Sequence, residues 1–324
     1  ACGIGDWVCR RLSATTKEQR AAMWRLYIAG EYGGINESLA ALYEITGKPA
    51  YLETARMFDN PPLFDGLSHG RDPLKGIHAN QHIPQIIGAL EIFRATGDLR
   101  YYHLAKNFWE LVVNRYMYSI GGVGRGENFK EADVLANHIE GGRNCETCAT
   151  YNMLKLTGML YQYAPEYSPY MDYYERGLLN HIAASQNPVT KEGALNGVTY
   201  MLPIGPGARK EYSNDYDDFT CCHGTGMENH VRYTEHIYHH GEEGSLYLNL
   251  FLPSVYHWEE KGVTISLEGD FPAESFCLKI NTDDPNVTVP LKLNIRIPYW
   301  CQKTFRVSTS KEPLPAPSGD GGYY

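Results

Sequence analysis

Apolar residues recur three and four positions apart over most of the first two thirds of the chain, then give way to strict alternation with polar ones. The helical period is clearest in LAALYEITGKPAYLETARMF (39–58) and IGALEIFRATGDLRYYHLAKNFW (87–109), which echo each other: the pair Thr46, Gly47 returns as Thr96, Gly97. Each segment predicts a helix hairpin, with the glycine taking the left-handed conformation that ends the first helix. MLKLTGMLYQYAPEYSPYMDYYERGLLNHIAA (153–184) predicts a third hairpin. Repeated hairpins separated by long irregular loops are what a toroid of paired helices produces, its loops gathered at one rim to build a site; a solenoid of helix pairs is the plainer alternative. Past Gly241 the runs SLYLNLFLPSVYHW, GVTISLEG, FCLKIN and LKLNIRIP alternate and are broken by Gly, Pro, Asn and Asp, as strands of an antiparallel sandwich would be. The change of period divides the chain into a mainly α part, 1–243, and a β-sandwich part, 244–324, whose Pro-, Ser- and Gly-rich end reads as a loop.

Composition narrows the partners. A net charge of −9 without any basic run argues against nucleic acid and anionic membranes, both held by clustered Lys and Arg. No stretch approaches the roughly 18–20 apolar residues that span a bilayer. The 25 tyrosines pair an apolar ring with a hydroxyl, a combination suited to helix packing and to sugars. The opening ACGIGDWVCRRLS has neither the basic start nor the apolar run of a signal peptide, and a sequon such as Asn286 to Thr288 is a weak hint of secretion, so cytoplasmic, periplasmic and secreted locations all stay open.

Eight cysteines are too few for a disulfide scaffold, yet four of them fall in two tight pairs. NCETCATYNMLKL (144–156) offers Cys145, Glu146 and Cys148 at the mouth of a helix; FTCCHGTGMENH (219–230) offers the adjacent Cys221 and Cys222 ahead of a helix expected near Met227. Zinc takes four ligands from Cys, His, Asp and Glu, and two short clusters some distance apart are a common way to deliver them. A purely structural metal is one reading, although adjacent cysteines do not make the ordinary knuckle; a disulfide within either pair is another. The functional reading is that zinc keeps a thiol deprotonated near neutral pH and so makes it a nucleophile, with a carboxylic acid to protonate the leaving group. Glu127, on the glycine-rich loop GGVGRGENF (121–129), is the candidate acid. His78 and His82 in KGIHANQHIPQ share a helix face as a helix opens before Pro84. EHIYHHGEEG (235–244) reads as a helix end, with His236, His239 and His240 as exposed structural residues.

GGVGRGENF, CETCATYNMLKL, CCHGTGMENH and SLYLNLFLPS, in this order, resemble the beta-L-arabinofuranosidases of glycoside hydrolase families 127 and 146 over about residues 20–310. The resemblance implies an (α/α)6 barrel joined to β-sandwich domains, and a retaining mechanism with a zinc-bound cysteine nucleophile. It places the zinc ligands at Glu146, Cys148, Cys221 and Cys222, the nucleophile at Cys221 and the general acid/base at Glu127, with Cys145 an extra buried neighbour. It sets His78 against the sugar with His82 behind it. It also brings Tyr200 in GVTYMLPIGPG, and Glu31, Asn36 or Glu37 in GEYGGINESL, toward the pocket. The family's chains are longer, so both parts are expected to be pieces of a larger enzyme. The implied function is release of L-arabinofuranose from beta-linked arabinofuranosides on a plant glycan or glycoprotein sugar chain. Two alternatives stay open: an inverting glycosidase using Glu127 with Glu131 or Asp133 around a structural zinc, and a non-catalytic, zinc-stabilised sugar-binding protein.

Overall fold

A computed structural model describes the chain except for residues 27–32, 189–196, 215, 285, 287–288, 302–303, 311 and 316–321. The chain forms two compact units that interleave in sequence: Ala1–Leu160 with Arg176–His230, and Tyr161–Glu175 with Val231–Tyr324.

The first unit is built from helices α1 (Cys2–Ser13), α2 (Lys17–Met23), α3 (Ile35–Thr46), α4 (Pro49–Arg56), α5 (Pro61–Ser68), α6 (Ala79–Thr96) and α7 (Leu99–Arg115). α8 (Thr147–Tyr161) and α9 (Pro169–Gly177) lead out of it and back, and α10 (Cys221–Asn229) closes it. The predicted hairpins form, and their echo has one physical cause. Gly47 (φ 68°) and Gly97 (φ 71°) both end a helix in the left-handed region. Beside them Thr46 and Thr96 bond back to Leu42 O and Ile92 O and accept the backbone N–H of Lys48 and Asp98. α6 is the inner helix: Ile83, Ile86, Ile87, Leu90 and Ile92 are fully buried, each worth about 1.5–3 kcal/mol. It meets α3 closely because Gly88 has no side chain; a Cβ there would lie 1.9 Å from Asn36 Oδ1. Asn36 in turn donates to Gln85 O across the same contact, at 2.9 Å.

The second unit carries two sheets. β1 (Tyr238–His240), β2 (Ser245–Leu248), β6 (Lys292–Ile297) and β7 (Gly322–Tyr323) form one in the order β1-β2-β6-β7. β3 (Ser254–Trp258), β4 (Val263–Glu268) and β5 (Cys277–Thr282) form an antiparallel second. β2 and β6 run parallel, a pairing that local alternation does not reveal because it joins strands far apart in sequence. Leu246, Trp258, Val263 and Ile265, drawn from both sheets, share one core, the arrangement of a sandwich. The segment 161–175 is held to these strands by polar bonds: Arg296, fully buried, reaches Asp172 (2.5 Å), Glu175 (3.0 Å) and Asn249 O (2.6 Å), and the Tyr161 hydroxyl reaches Asn249 and Tyr323. The histidines of EHIYHHGEEG stand at a strand rather than a helix end. His236 packs edge-on against Tyr174 and His239 against Tyr161, which partly buries both rings and lowers their pKa.

Candidate active site

Four extended segments of the helical unit pair backbone to backbone and deliver the candidate residues side by side. Residues 76–79 bond to the glycine-rich loop through Gly76 N to Phe129 O, Phe129 N to Ile77 O and Ala79 N to Glu127 O. The loop bonds to 143–145 through Gly126 N to Arg143 O and Cys145 N to Gly124 O. That segment bonds to 200–202 through Thr147 N to Tyr200 O and Leu202 N to Cys145 O. Phe129, fully buried against Phe108 and Tyr116, pins the loop from below. Glu127 itself has φ 69°, a left-handed conformation that costs a non-glycine residue about 1–2 kcal/mol and that its fixed neighbours sustain.

Glu127 accepts a 2.6 Å hydrogen bond from the Tyr200 hydroxyl on Oε1, and His78 Nε2 lies 3.4 Å from Oε2. His78 also caps α6, its Nδ1 accepting from Gln81 N at 3.3 Å. An accepting Nδ1 leaves the proton on Nε2, so the ring donates toward Glu127. His82 stands one turn on, its Nδ1 2.7 Å from His78 O, and burial lowers its pKa.

Beside this group lies the thiol cluster. α10 begins at Cys221 and not near Met227, because Thr220 caps it and Gly224 and Gly226 are carried inside the helix. Cys221 and Cys222 therefore occupy the first turn, where the helix dipole favours a thiolate. Glu146 immediately precedes α8, Cys148 lies in its first turn, and one ligand atom each from Glu146, Cys148, Cys221 and Cys222 falls within 4.8 Å of the others. Cys221 Sγ is 3.8 Å and Cys222 Sγ 3.9 Å from Glu146 Oε1, and Cys148 Sγ contacts Thr225 Oγ1 at 3.0 Å. Glu146 is 2% exposed and its Oε2 has no hydrogen-bond partner. Burial, together with the charges of Cys221 and Glu127, pushes its carboxyl up to about 8. Hydrogen bonds from Cys148 and Cys222 lower the pKa of Cys221, while the same contacts raise those of the two donors.

Three thiols and one carboxylate converging on a point, with a buried carboxylate oxygen left unmatched, fit a tetrahedral cation site of the kind zinc occupies. Cys221 is the exposed member of the set, and its Sγ lies 3.6 Å from the Tyr200 hydroxyl. Tyr200 thus touches both the candidate nucleophile and the candidate acid.

All eight cysteines are free, so neither tight pair forms a disulfide. Cys145 is buried outside the cluster, with φ 56°. Asn36 is engaged with Gln85 and Glu37 with Lys155, and Glu31 lies outside the described residues. Glu131 pairs with Lys75 (2.7 Å) and His138 (2.8 Å), and Asp133 with Arg115 (2.6 Å). Lys75 and then His138 hold the Glu131 carboxyl down to about 2, and Arg115 lowers that of Asp133, so both are ion-paired carboxylates and weak bases. Sequence reasoning missed Thr225, which reaches Cys148, and the bond of Tyr151 to Glu228 that ties α8 to α10. Both become legible once α10 starts at Cys221, since Cys221, Thr225 and Glu228 then share a face.

Among the described residues no helix is long and apolar enough to cross a membrane. The chain is 24% identical over 291 residues to the non-reducing end beta-L-arabinofuranosidase of Bifidobacterium longum subsp. longum, a match covering 86% of this chain and 41% of that one. Among solved structures it resembles a glycoside hydrolase (TM-score 0.70, 18% identity, 98% of this chain and 56% of that one). It also resembles a GH127 beta-L-arabinofuranosidase from Geobacillus stearothermophilus T6 (TM-score 0.67, 20% identity, 90% and 51%). The chain spans about half the length of these relatives. The fold they share is the helical barrel followed by a β domain expected from the hairpins and strands. The family profile "Beta-L-arabinofuranosidase, GH127 catalytic domain" matches residues 1–235, and "Beta-L-arabinofuranosidase, GH127 middle domain" matches 245–323. With its catalytic profile spanning the Glu127 loop and all four members of the thiol–carboxylate cluster, the chain belongs to glycoside hydrolase family 127.

Proposed function

We propose that this chain provides the catalytic centre of a retaining beta-L-arabinofuranosidase, with catalysis in residues 1–243 and a supporting β domain in 244–324. The observation that carries the reading is the Tyr200 hydroxyl, 2.6 Å from Glu127 and 3.6 Å from Cys221, which sets a carboxyl and an exposed thiol on either side of one hydroxyl group. Glu146, Cys148, Cys221 and Cys222 would hold zinc, which when bound supplies the positive charge that keeps the thiols deprotonated beside the Glu146 carboxylate.

In the first displacement Cys221 Sγ forms a bond to the anomeric carbon as the bond to the departing oxygen breaks, and Glu127 gives that oxygen its proton. In the second, Glu127 takes a proton from water as the water oxygen replaces sulfur, returning the thiolate and leaving the anomeric configuration as it began. The Tyr200 hydroxyl and the His78 Nε2 proton orient the Glu127 carboxyl between these steps, and both can also donate to sugar hydroxyls. His82 supports His78 from behind. The substrate is a beta-linked L-arabinofuranoside, the class named for the Bifidobacterium longum relative.

The test is hydrolysis of an aryl beta-L-arabinofuranoside, with the anomer of the first-formed sugar read by NMR. Wild-type protein should release the beta anomer, Cys221→Ser should abolish release, and a sugar haloacetamide should label Cys221. No aryl release and no label, with zinc present, would refute the proposal.

A further inference from the structure

Behind the cluster and behind the Glu127 loop stands one and the same element. α9 does not end at Gly177 but widens into a π-turn, Leu178–Ile182, followed by a tight turn, Ala183–Ser185. A π-turn inserts one residue into a helix and swings the side chains after it round the axis; such turns are rare and concentrate at functional sites. Here it carries His181, which is fully buried and whose side-chain hydrogen bond runs to Thr150 and not to the four-residue cluster or Glu127.

His181 Nδ1 is hydrogen-bonded at 2.7 Å to Oγ1 of Thr150, itself fully buried on α8. The Thr150 N–H in turn bonds to Glu146 O, closing the first turn of that helix. On its other side His181 meets Gly122 and Cys145. A Cβ at Gly122 would lie 2.5 Å from Cys145 Cβ, 2.7 Å from Cys145 Sγ and 2.8 Å from His181 Nδ1; one at Gly121 would lie 2.7 Å from Gly177 Cα. The start of the acid loop, the residue before Glu146 and the π-turn are thus in contact with no room for a methyl group.

Two non-glycine residues of the site are left-handed: Glu127 (φ 69°) and Cys145 (φ 56°). Strain of about 1–3 kcal/mol per residue persists only where the surroundings over-determine it. We infer that His181 is a positioning residue, which with Thr150 and the paired Gly121, Gly122 locks Cys145 in its left-handed conformation and so aims the Glu146 carboxylate and the Glu127 loop at one point. The inference deepens the reading above and rests on it for what the aimed groups do. Ligand-orienting groups of this kind typically control metal affinity or turnover by about 10–100-fold.

The experiment uses the full-length protein and cobalt(II) as the metal probe. Thr150→Val removes the hydrogen bond without changing shape, His181→Phe removes it while filling the space, and His181→Asn returns a polar atom near the Nδ1 position. Thr150→Val and His181→Phe should lower cobalt affinity by about 10–100-fold, shift the cobalt–thiolate absorption bands, and lower kcat with KM within about twofold. His181→Asn should recover most of both. Unchanged cobalt affinity, spectrum and kcat in Thr150→Val, with only a lower Tm, would overturn the inference, and that variant decides the matter if His181→Phe does not fold. Wild-type protein that takes up no cobalt would sink the metal reading and this inference together. Wild-type protein that binds cobalt without hydrolysing arabinofuranosides would sink only the activity, leaving affinity and spectrum as readouts.

Discussion

Replacing Glu146 by glutamine should stabilise the protein when it is metal-free and destabilise it when zinc is present. The carboxyl is 2% exposed, one of its oxygens has no partner, and its pKa is pushed up to about 8 by burial first and by the charge of Cys221 second. In the unfolded chain it titrates near 4.5. A folded pKa above the unfolded one means that stability is full below pH 4.5 and is lost as pH rises toward 8, because the native state must give up a proton it prefers to keep. Integrating between those two values gives a loss of about 3 kcal/mol at pH 7 and under about 1 kcal/mol at pH 5. Glutamine keeps the shape and never ionises, so metal-free Glu146→Gln should exceed metal-free wild type by about 3 kcal/mol at pH 7, the gap closing by pH 5. Zinc held in the proposed site should reverse the ranking, since it would give the carboxylate a cation and bind the amide weakly. Urea denaturation under reducing conditions, with chelator and then with zinc, at both pH values, measures this. A metal-free variant no more stable than wild type at pH 7, or a gap that does not shrink at pH 5, would refute the reasoning.

Cys145→Ala should keep the wild-type zinc content by elemental analysis and cost under about 1.5 kcal/mol, since its thiol is buried outside the ligand set. Burial lowers the His236 pKa to about 4, so stability should fall as pH drops from 6.5 toward 4, by about 3 kcal/mol in all. His236→Phe should flatten that part of the pH–stability curve and leave stability at pH 8 within about 1 kcal/mol, as denaturant titrations can show. Arg296→Met leaves Asp172 and Glu175 without their cation and should cost about 3–5 kcal/mol, less at pH 5 than at pH 8, measured by the same titrations.

The hairpins were legible because their signal is local: Thr46, Gly47 and Thr96, Gly97 fix both the helix end and the turn within a few residues. So were the strands, though not the parallel pairing of Ser245–Leu248 with Lys292–Ile297, which nothing near either strand encodes. The candidate residues could be proposed from their types and from the family resemblance, but the backbone ladder that lines up His78, Glu127, Glu146 and Tyr200 joins segments too distant for any spacing rule. Two local rules misled. Gly224 and Gly226 look like helix breakers, yet Thr220 caps a helix that contains both. His236 and His239 beside a glycine look like an exposed helix end, whereas Tyr174 and Tyr161 cover them from a segment some sixty to eighty positions away.

The interleaving of the two compact units bears on how the chain can be taken apart. Residues 161–175 lie inside the span of the catalytic-domain profile, yet their bonds run to Asn249, Arg296 and Tyr323. A single cut at 243 would give one fragment with Asp172 and Glu175 stripped of their guanidinium, and another with Arg296 buried and no carboxylate to meet it. Each product would lack partners that its charged groups have in the intact chain. Dissection by truncation thus has no clean boundary here, and the roles of the two units are better separated by point substitutions than by expressing them alone.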